Sequence, residues 1–124
     1  MDHEDVGMRL IALYMIARVV FGLSALAAPK TVGRLLAGDG GALPDATAFL
    51  RGMGGRELGI GLVLATAIHN SGNVRPGLIA GMLADISDVA GIASAWPHMP
   101  PAKRWQGLAM AGGAAIAGAG LLAQ

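Results

Sequence analysis

The sequence predicts an all-α protein, a four-transmembrane-helix bundle with short connecting loops, and three observations carry that prediction. Of 124 residues, 54% are hydrophobic and only 14% are charged, against roughly 25% charged in soluble domains. That leaves too little polar surface to coat a water-exposed fold of this size. Apolar stretches long enough to cross a bilayer recur four times, separated by short segments rich in Pro, Gly and charge. Third, the few ionisable residues inside those stretches nearly balance, as charges held away from water must.

The expected helices cover residues 8–28, 47–70, 76–96 and 105–123 of a single integral membrane domain, 1–124. The first ends at Pro29 and carries Arg18 near its middle, too deep for easy snorkelling. Before it, Met1-Asp2-His3-Glu4-Asp5 is acidic, which reads as the start of a mature helix rather than a cleaved leader. Between Pro29 and Asp45 lies a connector in which Pro29 to Leu36 is suited to a short interfacial helix, with proline in the first turn.

The second helix contains Gly52-Met53-Gly54-Gly55-Arg56-Glu57-Leu58-Gly59-Ile60-Gly61. Gly55 and Gly59 form a small-xxx-small face suited to close helix approach. Arg56 and Glu57 project about 100° apart, so each is expected to seek partners on other helices. Arg51 lies near one interface and brings the within-membrane charge sum to zero if it reaches the others.

The third helix, entered through Arg75-Pro76, places Asp85 and Asp88 one turn apart on nearly the same face. Both should point toward the first and second helices, near Arg18, Arg56 and Glu57. Trp96 and Trp105 flank a turn containing His98, Lys103 and Arg104, as expected at headgroup level. The fourth helix is uncharged, with Gly107, Ala111, Ala115 and Ala119 on one side and Ala109, Gly113 and Ala117 on an adjacent one. Both faces suit tight packing, within the chain or at an oligomer seam.

With every segment spanning, both termini share a side. Lys30, Arg34, Lys103 and Arg104 mark the first and third loops, against Arg9 and Arg75 on the terminal side, so those two loops are expected in the cytoplasm.

Several chemistries are disfavoured. A net charge of +1 without runs of either sign offers no nucleic-acid footprint. The absence of cysteine removes disulfides, thiol nucleophiles and thiolate metal sites. The glycine-rich stretch lacks GxxxxGK[S/T], and no HExxH or dense histidine pattern marks a metal centre. No metal and no cofactor is expected; an oxygen-rich site from Asp85, Asp88, Glu57 and His69 has only its carboxylates to recommend it. His69, His98 and His3 read as boundary or terminal residues. Met8, Met15, Met53, Met82, Met99 and Met110 read as packing.

What remains is the intramembrane set Arg18, Arg56, Glu57, Asp85 and Asp88. Read structurally, the two arginines bridge the three carboxylates and lock the helices without chemistry. Read functionally, the set lines a polar pocket. Asp85 and Asp88 then act as general acid and base with Glu57 as partner, Arg18 and Arg56 hold the substrate, and Tyr14, one turn before Arg18, supplies a further hydrogen bond.

Arg18, the Gly55-Arg56-Glu57-Leu58-Gly59-Ile60-Gly61 run, Arg75, and Ala84-Asp85-Ile86-Ser87-Asp88 together resemble a group of small bacterial and fungal integral membrane proteins described only as four-helix proteins of unknown function. The resemblance covers nearly the whole chain. It implies an integral membrane location, here a bacterial cytoplasmic membrane, and marks the polar set as a shared site without bringing a reaction to it. A looser likeness is to very small membrane enzymes whose acidic side chains rearrange or cyclise apolar substrates. The expected function is accordingly to bind, isomerise or cyclise a small apolar molecule or lipid. The alternatives are a structural or accessory subunit that joins a membrane-complex partner or a homo-oligomer, and a small proton- or cation-coupled transporter.

Overall fold

The computed structural model describes residues 2–124. Five α-helices follow one another, α1 (His3–Ala27), α2 (Pro29–Ala37), α3 (Pro44–His69), α4 (Arg75–Ala95) and α5 (Pro101–Leu122), with no strand among the described residues. One-turn 3-10 segments at Asp39–Ala42 and Trp96–His98 complete the connections after α2 and α4.

Local sequence explains the helix ends. Glu4 and Asp5 occupy the first turn of α1, where the positive end of the helix dipole favours carboxylates, so the helix begins at His3 rather than near Met8. Proline opens α2, α3, α4 and α5 within their first two positions, where its missing N–H is no loss. The chain leaves α2 through Gly38 at φ +75°, a left-handed conformation that favours glycine.

Three helices, α1, α4 continued through His98, and α5, are long and apolar enough to cross a membrane. The expected fourth crossing, α3, has the length at 26 residues. It falls short in apolarity because Arg51, Arg56 and Glu57 interrupt it along with several glycines.

The helices pack as two pairs, α1 against α3 and α4 against α5, and the pairs face each other across the bundle axis. Close approach of α1 and α3 rests on Gly22, Gly54 and Gly61. A Cβ on Gly22 would lie 2.7 Å from the Gly54 carbonyl oxygen, and one on Gly61 would lie 2.5 Å from the Val19 side chain. The small-residue face is therefore Gly54 and Gly61, not Gly55 and Gly59, which are exposed with nothing near their missing side chains. The two stripes lie about 130° apart on the same helix, and only one can face α1. On α5, Gly118 is buried and Ala109, Gly113 and Ala117 face outward.

Both termini lie at one end. The Gln124 side chain reaches Gly7, and Arg75 Nη1 donates to the Leu122 carbonyl at 2.9 Å. At the opposite end, Lys103 Nζ and Gln106 Nε2 both donate to the Leu35 carbonyl, tying the end of α2 to the start of α5. Arg104 donates to the Trp96 carbonyl and stacks over its ring, and Trp96 meets Trp105 edge to face.

Buried charge and exposed aliphatics coexist around a small apolar core. Arg18, Glu57 and Asp85 are among the most buried residues, whereas Leu13, Val20, Leu23, Leu83 and Ile116 are each more than half exposed. The ion network faces the axis beside that core while many branched aliphatics face outward, an arrangement that suits hydrocarbon rather than water on the outside.

Candidate functional site

Arg18, Tyr14, Glu57, Asp85, Arg56 and Asp88 all meet near the middle of the bundle. Arg18 comes from α1, about halfway along it, with Tyr14 one turn before. Glu57 and Arg56 come from the middle of α3, and Asp85 and Asp88 from the middle of α4. The expectation that both aspartates point toward the first and second long helices matches the contacts they make.

Arg18 is the hub. Its Nη1 donates to Glu57 Oε2 at 2.7 Å, and its Nη2 donates to Tyr14 Oη at 2.6 Å, to the Gly81 carbonyl at 3.3 Å and to Asp85 Oδ2. The guanidinium also lies over the Tyr14 ring, 4.5 Å from its centre. Arg18, Glu57 and Asp85 side chains are each at most 8% exposed. Glycine makes this crowding feasible: a Cβ on Gly81 would collide with the Tyr14 hydroxyl and lie 3.1 Å from the Arg18 guanidinium, and one on Gly118 would lie 3.2 Å from the same hydroxyl.

Arg56 forms the second layer. It grips Asp88 with both terminal nitrogens, at 3.0 and 2.8 Å, in the bidentate geometry that makes arginine–carboxylate pairs strong. It also donates to Glu57 Oε1 from Nε and Nη2, at 3.2 and 3.1 Å. Adjacent residues on a helix were expected to pair poorly; here the long guanidinium folds back, so Glu57 bridges Arg56 through one oxygen and Arg18 through the other. This outer pair is more open than the inner group, with Arg56 33% and Asp88 25% exposed.

The two aspartates do not form a dyad with each other, because each is engaged by a different arginine. Oxygens of Glu57, Asp85 and Asp88 do lie within 4.8 Å of one another, close enough to surround a cation. Two guanidiniums already supply positive charge at that place. Arg51 is exposed and joins no ion pair among the described residues, so the assembled set keeps one formal negative charge in excess. His69 is exposed at the end of α3 and stands apart from the carboxylates.

Beside this network, between the two helix pairs and toward the α2 end, lies a cavity of about 520 Å³. Arg56, Asp88 and edges of the inner group form its polar wall, and the rest is apolar, with Phe21, Leu36, Met53, Ile92 and Met110 prominent. Its volume falls within the range of small-molecule pockets. Sequence reasoning placed Met53, Met99 and Met110 among packing residues, and all three line the cavity. Methionine carries no positional signature that separates these uses.

No family model, curated protein or solved structure matches this chain. The chemistry of the site rests on its own residues.

Proposed function

We propose that this chain is an integral membrane protein that crosses the bilayer four times and binds a small, largely apolar molecule in the cavity between its helix pairs. The single observation behind this reading is a cavity of about 520 Å³ with apolar walls and one polar face, in which the Arg56–Asp88 pair stays partly open. A purely structural salt-bridge lock has no need of such a space, since interiors ordinarily pack to the density of organic crystals.

In this reading α3 is the fourth crossing. Its low apolarity comes largely from Arg56 and Glu57, whose charges meet partners on α1 and α4 instead of lipid, while Leu62 and Val63 face outward. Arg34, Lys30, Lys103 and Arg104 then set the α2 end toward the cytoplasm.

The roles divide by depth. Arg18, Glu57, Asp85 and Tyr14 hold one another and form the back wall. Asp88 and Arg56 meet the ligand, Asp88 as acceptor and Arg56 as the group that orients it. Both guanidiniums are already engaged by carboxylates, so the site suits a neutral or cationic polar group better than an anion.

Gly91 lines the cavity, and a Cβ there meets no atom within 4 Å, so Gly91→Leu adds bulk at the cavity wall without a clash at its first carbon. In lipid nanodiscs, hexylamine or hexanol is expected to raise the unfolding temperature of the wild-type chain and to leave Gly91→Leu unmoved. Equal responses from both chains would overturn the cavity reading.

A further inference from the structure

On its α1–α5 side the cavity borders a second depression. These two helices meet at Tyr14 and Gly118 and at the terminal end, where Gln124 reaches Gly7. Toward α2 they separate, and Ala17 and Phe21 of α1 face Met110 of α5 and Leu36 of α2 across the gap. These four residues also line that depression, a groove of about 730 Å³ on the outer surface between α1, α2 and α5. Chamber and groove thus share a wall.

The groove is largely apolar, with Ser24 and Gln106 its only polar lining residues. Leu13, Ile16 and Val20 run down its α1 side, spaced at three and four residues, and Leu35 closes it from α2; all four are about half exposed or more. From Leu13 to Ser24 the α1 wall rises about 16 Å. With the outer face bathed in hydrocarbon, this groove opens to acyl chains, and the wall it shares with the chamber is what separates them from Asp88.

We propose that the ligand is a single-chain amphiphile with a neutral or cationic hydrogen-bond-donating head, which enters sideways from the bilayer, seats its head against Asp88 and leaves its tail in the groove. Three features select this occupant. The cavity volume suits a head and the first part of a chain but provides no second apolar arm. The groove adjoins the chamber along a shared wall and is largely apolar. The polar wall carries excess negative charge, with both arginines engaged, which disfavours a carboxylate or phosphate head. The proposal rests on the cavity-binding reading above and adds the route, the tail and the sign of the head.

The test is photocrosslinking in nanodiscs with dodecylamine carrying a diazirine at the far end of its chain, beside a butylamine probe carrying the same group. Unlabelled dodecylamine serves as competitor, and adducts are mapped by mass spectrometry. The long probe is expected to give competable adducts on Leu13, Ile16, Val20 or Leu35, and the short one competable adducts on Met53 or Ile92, which line the cavity but not the groove. Ile116, 75% exposed on α5, reports non-specific contact with lipid-dissolved probe. Ala17→Trp adds bulk at the shared wall from an exposed position and should cut competable groove adducts at least about tenfold.

Groove adducts that no competitor reduces, with the short probe still captured in the cavity, would overturn the lateral route and leave cavity binding standing. No competable adduct from either probe would overturn both. Dodecanoate competing as well as dodecylamine would overturn the assignment of the head.

Discussion

The two ends of the bundle are built differently, although the same four long helices run through both. Toward the termini, Ile11, Ile60, Leu64, Leu78 and Ala84 form a close-packed core in which Leu64 and Leu78 are fully buried. Toward α2, the smaller cluster of Ala25, Val32 and Leu50 stays between α1, α2 and α3, and the space between the helix pairs is a cavity. The Arg18 network sits at the boundary. It closes the packed half and forms the back wall of the hollow one, so a single set of charges serves both. In hydrocarbon, apolar side chains gain little from leaving the surroundings, and tight packing and internal hydrogen bonds hold helices together. In the proposed membrane setting, the packed half and the ion network are the features that hold the long helices around the hollow half.

The sharpest way to break this division is to remove its hub. Arg18→Met leaves Glu57 and Asp85 buried side by side with one cationic neighbour lost, and loss of one partner from a buried set costs about 3–5 kcal/mol. Reversible unfolding in mixed micelles should register that loss. Arg18→Met combined with Glu57→Gln and Asp85→Asn should recover a large part of it, because no unpaired charge then remains in the inner layer. If Arg18→Met alone is neutral, the network is not what joins the two halves.

A second contrast compares apolar truncations. Leu78 is 1% exposed within the terminal core, so Leu78→Ala opens a void that its neighbours fill only in part, at a cost of about 2–5 kcal/mol. Met110 lines the cavity and is half exposed, so Met110→Ala enlarges a space that already exists and should cost under about 1 kcal/mol. The same unfolding assay on both variants measures the difference. Equal costs would mean that the hollow half is as tightly held as the packed one.

Much of this arrangement was legible in the sequence because charge inside an apolar stretch is costly enough to demand a partner. Arg18, Arg56, Glu57, Asp85 and Asp88 could be grouped before any contact was known, and the three-residue spacing of the aspartates predicted their common face. The pairing inside the group was not legible. Whether Asp88 meets Arg56 or Arg18 depends on the rotation and depth of α3 against α4, which spacing along one helix does not specify. Glycine roles were equally hidden: Gly55 and Gly59 make as good a pattern as Gly54 and Gly61, and only the direction of α1 separates them. The cavity lies furthest from sequence, since Met53 and Met110 line an open space with residues equally suited to filling one.

Two glycines ten residues apart on α4 give the smallest and most local version of the comparison. Gly81 lies at the network, where an added methyl group meets the Tyr14 hydroxyl and the Arg18 guanidinium; Gly91 lies at the cavity, where it meets nothing within 4 Å. Gly81→Ala is expected to destabilise by about 1–3 kcal/mol, as overpacking does. Gly91→Ala should stabilise by up to about 1 kcal/mol, because alanine is the better helix former and no neighbour objects. A double-mutant cycle identifies the cause. Tyr14→Phe deletes the hydroxyl that blocks the new methyl group, so it should soften the Gly81→Ala penalty while leaving the Gly91→Ala gain unchanged. If Tyr14→Phe leaves the Gly81→Ala cost intact, the obstacle is the Arg18 guanidinium instead. The approach of α4 to α1 is then set by the ion network itself and not by the tyrosine that supports it.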